Sequence, residues 1–288
     1  MSAVAARPRR SALFLPASNQ RALAKARTLD CDAVILDLED SVAPAMKREA
    51  RDAAVAGLNA GGWEARERVV RVNGADTEWG AGDLAALRGA PLDAVLLPKV
   101  DSPATLHVAR AALGDGPALW AMIETCAGVV ASRAIAAAAR ETGLAALVIG
   151  PNDLARELRC TPGEDRAPLW PILTEVVLAA RLADIVALDG VTNVIDDAGA
   201  VERACAQGAR WGFDGKTLIH PAQIEAANRA FAPSAEAVAR AERIVAAFAL
   251  PEHAASGAIR VDGEMVERLH LAEAERLIAL DRAVQSRQ

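Results

Sequence analysis

The sequence lacks the features that mark membrane, secreted and metal-thiolate proteins. Its apolar runs are all much shorter than the roughly 20 residues that a membrane span needs. Its start, MSAVAARPRRSALFLP, has its arginines too late and its apolar stretch too short for a secretory signal. The cysteines are far apart and include no CxxC pair: Cys31, Cys126, Cys160 and Cys205. We therefore expect free, mostly buried thiols, no membrane association and a cytoplasmic location.

Clusters of basic residues and of histidines are also missing. The formal net charge is −6, and no basic cluster follows the one at Arg7–Arg10, which argues against nucleic acid as a partner. The four histidines form no constellation, so nothing supports a Ser–His–Asp mechanism. With 288 residues and 52% hydrophobic content the chain can bury a large core, and we do not expect intrinsic disorder.

What the sequence does contain is eight short apolar runs with charged or amide residues at their ends. They span 11–16, 32–40, 68–73, 94–100, 118–124, 146–153, 184–191 and 215–221. Between them lie alanine-rich, amphipathic stretches, each long enough for one helix. A strand followed by a helix, eight times over, predicts an α/β fold of the (β/α)8 TIM-barrel type.

The domain organisation follows from where this repeat ends. We predict a barrel catalytic domain over 1–232 and a C-terminal helical extension over 233–288. The extension contains a helix after Pro233, a hairpin-like piece around Asp262–Gly263 and a final helix. We expect it to be too small for a core of its own, and to act as a lid on the barrel mouth or on a neighbouring subunit. A long loop over 157–170 is a second lid candidate.

Active sites of such barrels lie at the carboxyl ends of the strands, so the polar endings name the candidate site residues. They are Asp37, Glu39, Asp40, Arg71, Asn73, Lys99, Glu124, Asp153, Asp189 and His220. Glu124 and Asp153 end consecutive strands. Their oxygen ligands, with no histidine or thiolate nearby, suit Mg²⁺, with Mn²⁺ as an alternative. The competing interpretation is that either acid only caps the following helix.

The remaining endings allow more than one role. Arg71 in RVNG can hold a substrate carboxylate or carbonyl oxygen, and a salt bridge to the DLED acids is compatible with that role. Of Glu39 and Asp40, we expect one to face the mouth and orient Arg71 or metal-bound water. Lys99 is a weaker candidate for a Schiff-base amine. His220 either lines a ligand pocket or is a hydrogen-bonded core histidine.

Seven motifs, in order along the chain, resemble one family. They are PRRSALFLPASNQRALAKA, DAVILDLEDSVAPAMKREAR, RVNG, LLPKV, IET, GPNDLA and GFDGKTLIHPAQI. The chain is similar to the citrate lyase beta-subunit (CitE-like) family of the HpcH/HpaI aldolase superfamily, which includes malyl-CoA and citramalyl-CoA lyases. The resemblance implies a barrel with a C-terminal lid, assembled as a homotrimer or a hexamer.

The resemblance, together with the residue types, assigns roles to the candidate site. The assigned residues are Glu124 and Asp153 for Mg²⁺; Arg71, Glu39, Asp40 and Glu267 for catalysis; and Phe14, Arg21, Lys25, Arg71, Glu124 and Pro221 for the coenzyme A or acyl-carrier thioester and the 2-oxo acid. Basic side chains near a barrel mouth suit the phosphates of the coenzyme.

The implied reaction is a reversible Claisen-type cleavage of a carboxylated 3-hydroxyacyl thioester, such as malyl-CoA, citramalyl-CoA or a citryl thioester, into a 2-oxo acid and an acyl thioester. The chain departs from its relatives at two points. Glu267 stands where the lyases carry an aspartate, and Ala17 in PASN replaces a glycine. If the longer carboxylate activates water, the thioester is hydrolysed instead; this reaction, or a lyase reaction on a free 2-oxo or hydroxy acid, is the first alternative. The second is a ligand-binding or partner-dependent homologue that is idle on free coenzyme A thioesters.

Overall fold

The computed structural model describes residues 7–63, 66–253 and 255–287. Its main sheet has eight strands, all of which overlap the predicted apolar runs: β1 (Ser11–Pro16), β2 (Ala33–Asp37), β3 (Glu67–Arg71), β4 (Ala94–Leu97), β5 (Ala118–Ile123), β6 (Leu144–Ile149), β7 (Val186–Asp189) and β8 (Gly215–Leu218). Each strand is parallel to the next, and β8 pairs with β1, so the sheet is a closed barrel. The predicted (β/α)8 fold is confirmed.

Helices follow the strands and cover the outside of the barrel. They are α1 (Gln20–Ala26), α2 (Lys47–Asn59), α3 (Gly80–Leu87), α4 (Pro103–Leu113), α5 (Cys126–Ala137), α6 (Ala139–Thr142), α7 (Pro151–Leu158), α8 (Trp170–Leu182), α9 (Ala198–Arg210) and α10 (Ile224–Ala230). Side-chain oxygens of Asn19, Thr125 and Asp197 cap three of their N-termini. No helix in the described part of the chain is long and apolar enough to span a bilayer.

Side chains alternate between the two faces of each strand. This alternation separates two hydrophobic layers and determines the direction of the polar residues at the strand ends. Ile35 of β2, Val69 of β3 and Met122 of β5 belong to the cluster inside the barrel, whereas the intervening residues pack under the helices. Side chains of a strand repeat every two residues. The polar residues one step further along these three inward faces are Asp37, Arg71 and Glu124. The same period therefore carries all three side chains to the inner side of the mouth.

Ion pairs between arginines and acids close the opposite, amino end of the barrel. Arg9 donates two hydrogen bonds of 2.6 and 2.7 Å to Glu67, the first residue of β3. Arg10 donates two of 2.9 Å to Asp32, which precedes β2. All four side chains are buried. Because each guanidinium meets one carboxylate in a two-pronged contact, the charges of these pairs are balanced.

The described chain divides into two compact units: the barrel, Arg9–Phe231, and a second unit that begins at Ala232 and includes Arg7 and Pro8. The second unit contains α11 (Ala235–Phe248), β9 (Ala258–Val261), β10 (Glu264–Glu267) and α12 (Arg268–Gln285). The predicted hairpin is present, because β9 and β10 are antiparallel. Asp262 and Gly263 between them both have positive φ, as the tight turns of hairpins require.

The second unit also holds a small hydrophobic cluster of its own. Its buried members are Ala241, Ile244, Phe248, Ile259, Val266 and Ala274. The expectation that this extension is too small for a core was wrong, because its helices and hairpin bury apolar faces against each other. Its service as a lid stays a prediction. The predicted loop over 157–170 is shorter than expected, since α7 extends to Leu158 and a 3₁₀ turn spans Ala167–Leu169.

Candidate active site

Arg71, at the carboxyl end of β3, has a side chain fixed by several neighbours. Its Nε and Nη2 donate to the two carboxylate oxygens of Asp37, at 2.7 Å each. The guanidinium lies over the ring of Phe14, 4.8 Å from its centroid. Its Nη1 lies 3.8 Å from Sδ of Met122. These contacts hold the guanidinium in one orientation, which planar recognition of a carboxylate requires.

The acids of the DLED motif surround this one cation. The buried Asp37 also accepts hydrogen bonds from the main-chain N–H groups of Glu39 and Ser41, at 2.9 and 3.1 Å. Glu39 Oε2 lies 2.9 Å from Arg71 Nη1. Asp40 Oδ2 is further away, at 3.6 Å, and its side chain is 59% exposed. Of the two adjacent acids considered from the sequence, Glu39 is therefore the one held closely against Arg71.

Burial and ion pairing shift the pKa values of these side chains in opposite directions. Burial alone would raise the pKa of Asp37, but the hydrogen bonds and charge of Arg71 lower it below the ordinary value. Burial alone would lower the pKa of Arg71, but Asp37, followed by the other two acids, raises it. For Glu39 burial prevails, and its pKa is raised despite Arg71 and Lys99. Asp37 and Arg71 thus form a fixed ion pair, whereas Glu39 accepts a proton more readily.

Glu124 follows β5 and is 1% exposed. Its Oε1 accepts a hydrogen bond of 2.8 Å from the main-chain N–H of Lys99. Its Oε2 is buried and has no hydrogen-bond partner among the described residues. Burial, and next the negative charge of Glu39, raise the pKa of Glu124 to about 7. A buried carboxylate oxygen without a donor fits a cation ligand better than a helix cap, and the cap of α5 is instead Thr125.

The main chain leaves room for Glu124 only because residue 150 is a glycine. A Cβ at Gly150 would collide with Oε2 and Cβ of Glu124. Gly150 precedes α7, whose first turn carries Asp153. Two adjoining segments, the ends of β5 and β6, are thus packed with no space for an additional methyl group.

Asp153 pairs with Arg156 on the same helix, with 2.6 Å between Oδ1 and Nη2. Asp153 lies in the first turn of α7, and its hydrogen bond is accepted from Arg156 Nη2 instead of from the main chain of the helix, which does not favour the role of a helix cap. No group of three or more histidine, cysteine, aspartate or glutamate residues with metal-binding geometry occurs within 7–63, 66–253 and 255–287. A site with only two protein carboxylates is compatible with Mg²⁺, which usually retains several waters. The sharing of one ion by Glu124 and Asp153 stays a prediction.

Lys99 has an unusual main-chain conformation for a residue other than glycine. Its φ is 49°, in the left-handed region, which costs an L-residue roughly 1–2 kcal/mol. Its Nζ donates to Glu39 Oε1, and its side chain is 39% exposed. Burial alone would lower the pKa of Lys99, but Glu39 raises it above the ordinary value. A protonated, ion-paired amine is not a nucleophile, so the geometry does not favour a Schiff base.

Other candidate endings are occupied by contacts within the scaffold. Asp189 is buried, with Oδ1 2.6 Å from Arg166 Nη1 and Oδ2 3.0 Å from Lys216 Nζ. Asn73 Nδ2 donates to Asp83 at 2.7 Å. His220 is exposed, and its Nδ1 accepts from the N–H of Ala222 at 3.2 Å. These hydrogen bonds and ion pairs stabilise the barrel scaffold. None of them involves Arg71 or the acids that surround it.

The residues matched to coenzyme A binding, and Glu267, lie in separate parts of the chain. Arg21 and Lys25 are exposed and four residues apart on α1, which places them on one helix face. Pro221 begins a 3₁₀ turn over Pro221–Gln223. Ala17 packs in the layer under the helices, so its methyl group does not narrow the mouth. Glu267 belongs to the second unit, where its N–H donates to His270 Nδ1 at 2.9 Å.

Lys47 supports the candidate site through a contact that the sequence analysis did not identify. This first residue of α2 is 5% exposed. Its Nζ donates to the carbonyls of Leu38 and Glu39 at 2.9 and 2.8 Å and lies 5.4 Å from the ring centroid of Trp79. It therefore fastens the main chain of the DLED turn. A lysine at the start of an amphipathic helix is ordinarily solvated, so only the fold reveals this contact.

A model of the HpcH/HpaI aldolase/citrate lyase family matches residues 10–221. The chain belongs to this family. The matched range contains all eight strands together with Arg71, Glu124 and Asp153. The family predicted from the motifs is thereby confirmed, and this member of the HpcH/HpaI aldolase/citrate lyase family is an enzyme.

Relatives that match almost the whole chain have names that describe different reactions. This chain is 44% identical to a (3S)-malyl-CoA thioesterase of Cereibacter sphaeroides over 279 residues, which cover 97% of this chain and 96% of the relative. It is 33% identical to citrate lyase subunit beta of Escherichia coli, over 93% and 94% of the two chains. The crystal structure of CitE from Mycobacterium tuberculosis in complex with magnesium, acetoacetate and coenzyme A is similar, with a TM-score of 0.77, 32% identity and coverage of 97% and 99%.

Proposed function

We propose that this protein hydrolyses the thioester bond of a carboxylated 3-hydroxyacyl-coenzyme A, such as (3S)-malyl-CoA, with Mg²⁺ as its cofactor. The observation that carries the proposal is the 44% identity to a (3S)-malyl-CoA thioesterase over 97% of the chain. Glu267 supports hydrolysis as well, because its side chain is one methylene longer than the aspartate of the lyases and places the carboxylate at a different position. The products are malate and free coenzyme A.

Glu124 and Asp153 are the residues that would hold Mg²⁺, or Mn²⁺ in its place. The buried Oε2 of Glu124 has no donor within the described ranges, and the acids around it outnumber the cations. Both features fit a hard divalent ion with oxygen ligands. Asp153 would exchange its contact with Arg156 for this role. When bound, the ion supplies Lewis acidity toward substrate oxygens.

Arg71 would bind and orient the substrate. Asp37 and Phe14 fix its guanidinium, which would present a positioned cation to a carboxylate or a developing oxyanion. Arg21 and Lys25 on α1 would attract the phosphates of coenzyme A or of an acyl-carrier prosthetic group. Exposed lysine and arginine side chains four residues apart suit a flexible, multiply charged ligand.

Glu267 is the residue that would activate water. Water adds to the thioester carbonyl carbon as its proton passes to a carboxylate, then the carbon–sulfur bond breaks and the leaving thiolate takes up that proton. Glu39, whose pKa burial raises, would orient Arg71 from within the barrel, 2.9 Å from its Nη1. In a homotrimer or hexamer the second unit would serve the site of a neighbouring subunit.

A carbon–carbon lyase is the second candidate, favoured by the 33% identity to citrate lyase subunit beta. In that reaction a base removes the substrate hydroxyl proton and the bond between the carbinol carbon and the carbon next to the thioester breaks. A 2-oxo acid leaves, and the thioester enolate takes up a proton. Arg71 would perform the same orienting role in both reactions, so the two differ in which bond breaks.

The deciding experiment incubates the purified protein with (3S)-malyl-CoA and Mg²⁺ and measures free thiol and glyoxylate in parallel. Hydrolysis releases one thiol per malate and no glyoxylate. Glyoxylate and acetyl-CoA without free thiol would overturn hydrolysis in favour of the lyase. Binding of Mg²⁺ and a 2-oxo acid without either product would instead indicate a ligand-binding or partner-dependent homologue.

A matched pair of variants tests the assignment of Glu267. Glu267→Gln is expected to slow thiol release by about 100-fold, the scale of a lost general base. Glu264→Gln, on the same strand and in a surface ion pair with Arg240, is the control and should retain wild-type turnover. Equal rates for both variants would remove Glu267 from the mechanism.

A further inference from the structure

Lys99 contacts two different acids of the candidate site at once. Its main-chain N–H donates to Glu124 Oε1 at 2.8 Å, and its ammonium group donates to Glu39 Oε1. Glu39 in turn lies 2.9 Å from Nη1 of Arg71. One residue therefore connects the carboxylate assigned to Mg²⁺ with the group assigned to the substrate.

The conformation of Lys99 makes this double contact possible. It follows Pro98, and its φ of 49° is a value that glycine and asparagine adopt more readily than lysine. Glycine would relieve the strain, yet lysine stands there. The residue thus supplies something that a flexible turn residue cannot, and the contacts identify it as a positive charge at Glu39.

The charges around Lys99 explain why a cation is needed there. The negative charge of Glu39 acts on the buried Glu124, and the ammonium of Lys99 is in electrostatic contact with both acids. Two neighbouring carboxylates repel each other, most strongly where burial excludes water. Lys99 and Arg71 are the cations that offset this repulsion for both acids, and of the two Lys99 also contacts both acids directly.

We propose that Lys99 is a positioning residue: its ammonium holds Glu39, its main-chain N–H holds Glu124, and the ammonium, as a cation beside a cation site, weakens the binding of Mg²⁺. This inference rests on the proposed function, since it takes Glu124 as a ligand of Mg²⁺. Removal of the ammonium then has opposite effects on two measurements. Mg²⁺ binds more tightly, while turnover falls because Glu39 is no longer held against Arg71.

The test compares Lys99→Asn with Lys99→Arg by titration calorimetry with Mg²⁺ and by turnover at saturating Mg²⁺. Asparagine tolerates the left-handed main chain, so the N–H to Glu124 is retained while the charge is lost. We expect Lys99→Asn to bind Mg²⁺ about 5-fold more tightly, as for one unit charge removed at short range in a partly hydrated site, and to lose about 10-fold in turnover. Lys99→Arg keeps the charge and should bind Mg²⁺ within about 2-fold of wild type.

Arg133→Gln is the control for net charge, because Arg133 pairs with Glu175 on the outer helices and its removal should leave Mg²⁺ affinity unchanged. Thermal unfolding of each variant verifies that it is folded. Unchanged or weaker Mg²⁺ binding by folded Lys99→Asn would overturn the inference, as would tighter binding by Lys99→Arg to the same extent. Absence of Mg²⁺ binding by the wild-type protein would overturn the proposed metal site and the inference together.

Discussion

The two ends of the barrel handle buried charge differently. At the amino end, Arg9 meets Glu67 and Arg10 meets Asp32, each through two hydrogen bonds. At the carboxyl end, Arg71 pairs with Asp37 and Glu39, and Glu124 has a buried oxygen that accepts no hydrogen bond from any residue that the structure describes. Balanced pairs add specificity and order, whereas an excess of unsatisfied acids is costly unless a ligand compensates it. The difference separates the end that maintains the fold from the end that binds.

The largest expected effect comes from exchanging arginine for lysine at each end. Arg71→Lys keeps the charge but loses the two-pronged geometry, and turnover should fall roughly 100- to 1000-fold, the range for a lost transition-state donor. Arg10→Lys makes the same change at the amino end and should lower the free energy of unfolding by about 1–2 kcal/mol, with turnover per folded molecule unchanged. Steady-state kinetics and urea unfolding check both values. A similar loss of turnover in both variants would contradict the division between the ends.

The next largest effect is on stability against pH in the absence of Mg²⁺. The pKa of Glu124 is raised from 4.5 to about 7 in the folded protein, so the folded state binds this proton more tightly than the unfolded state. Its contribution favours folding below pH 4.5 and is lost as the pH rises to about 7, by about 3 kcal/mol in total. Glu124→Gln cannot lose it, so the variant should gain stability relative to wild type across that range.

Urea unfolding in EDTA at several pH values measures this difference. Addition of Mg²⁺ to the wild-type protein should restore most of the lost stability, because the ion compensates the buried charge. A difference between wild type and Glu124→Gln that stays constant with pH would show that Glu124 titrates normally.

A smaller effect is expected from Gly150→Ala. The added methyl group would collide with Oε2 and Cβ of Glu124, so the carboxylate must move. Turnover should fall about 10- to 100-fold, the scale of a displacement near 1 Å in an active site, and Mg²⁺ binding should weaken. Gly89→Ala is a control for loss of a surface glycine, since no described atom lies within 4 Å of its added methyl group; its positive φ makes a small loss of stability the only expected change.

The smallest effect is expected from Lys47→Met. The apolar stem is retained, but the carbonyls of Leu38 and Glu39 lose the buried ammonium. The DLED turn should loosen and turnover should fall about 5-fold, with a loss of roughly 1–3 kcal/mol in stability for the unsatisfied carbonyls. Kinetics of the variant at saturating Mg²⁺ check this expectation. Full activity would show that Asp37 and Lys99 hold the turn without it.

Sequence reasoning predicted the barrel and the identity of its polar endings, because both depend on local periodicity. Asp37, Arg71 and Glu124 continue the inward positions of their strands, so alternation alone carries them to the mouth. Their partners were harder to predict. Asp189 ends a strand in the same manner, yet Arg166 and Lys216 from other segments enclose it. The left-handed main chain of Lys99 and the buried contact of Lys47 depend on tertiary packing, which no local pattern encodes.

The seam of the barrel has a consequence for how the protein is made. Ser11–Leu13 of β1 pair with Lys216–Leu218 of β8, so about 200 residues must leave the ribosome before that edge can close. At ordinary rates of protein synthesis this takes roughly 10 to 40 s. During that interval β1 exposes a row of unpaired main-chain groups that could recruit another nascent chain. Slow translation or a high concentration of nascent chains should therefore lower the yield of folded protein. Chaperones that cover an open sheet edge should raise that yield.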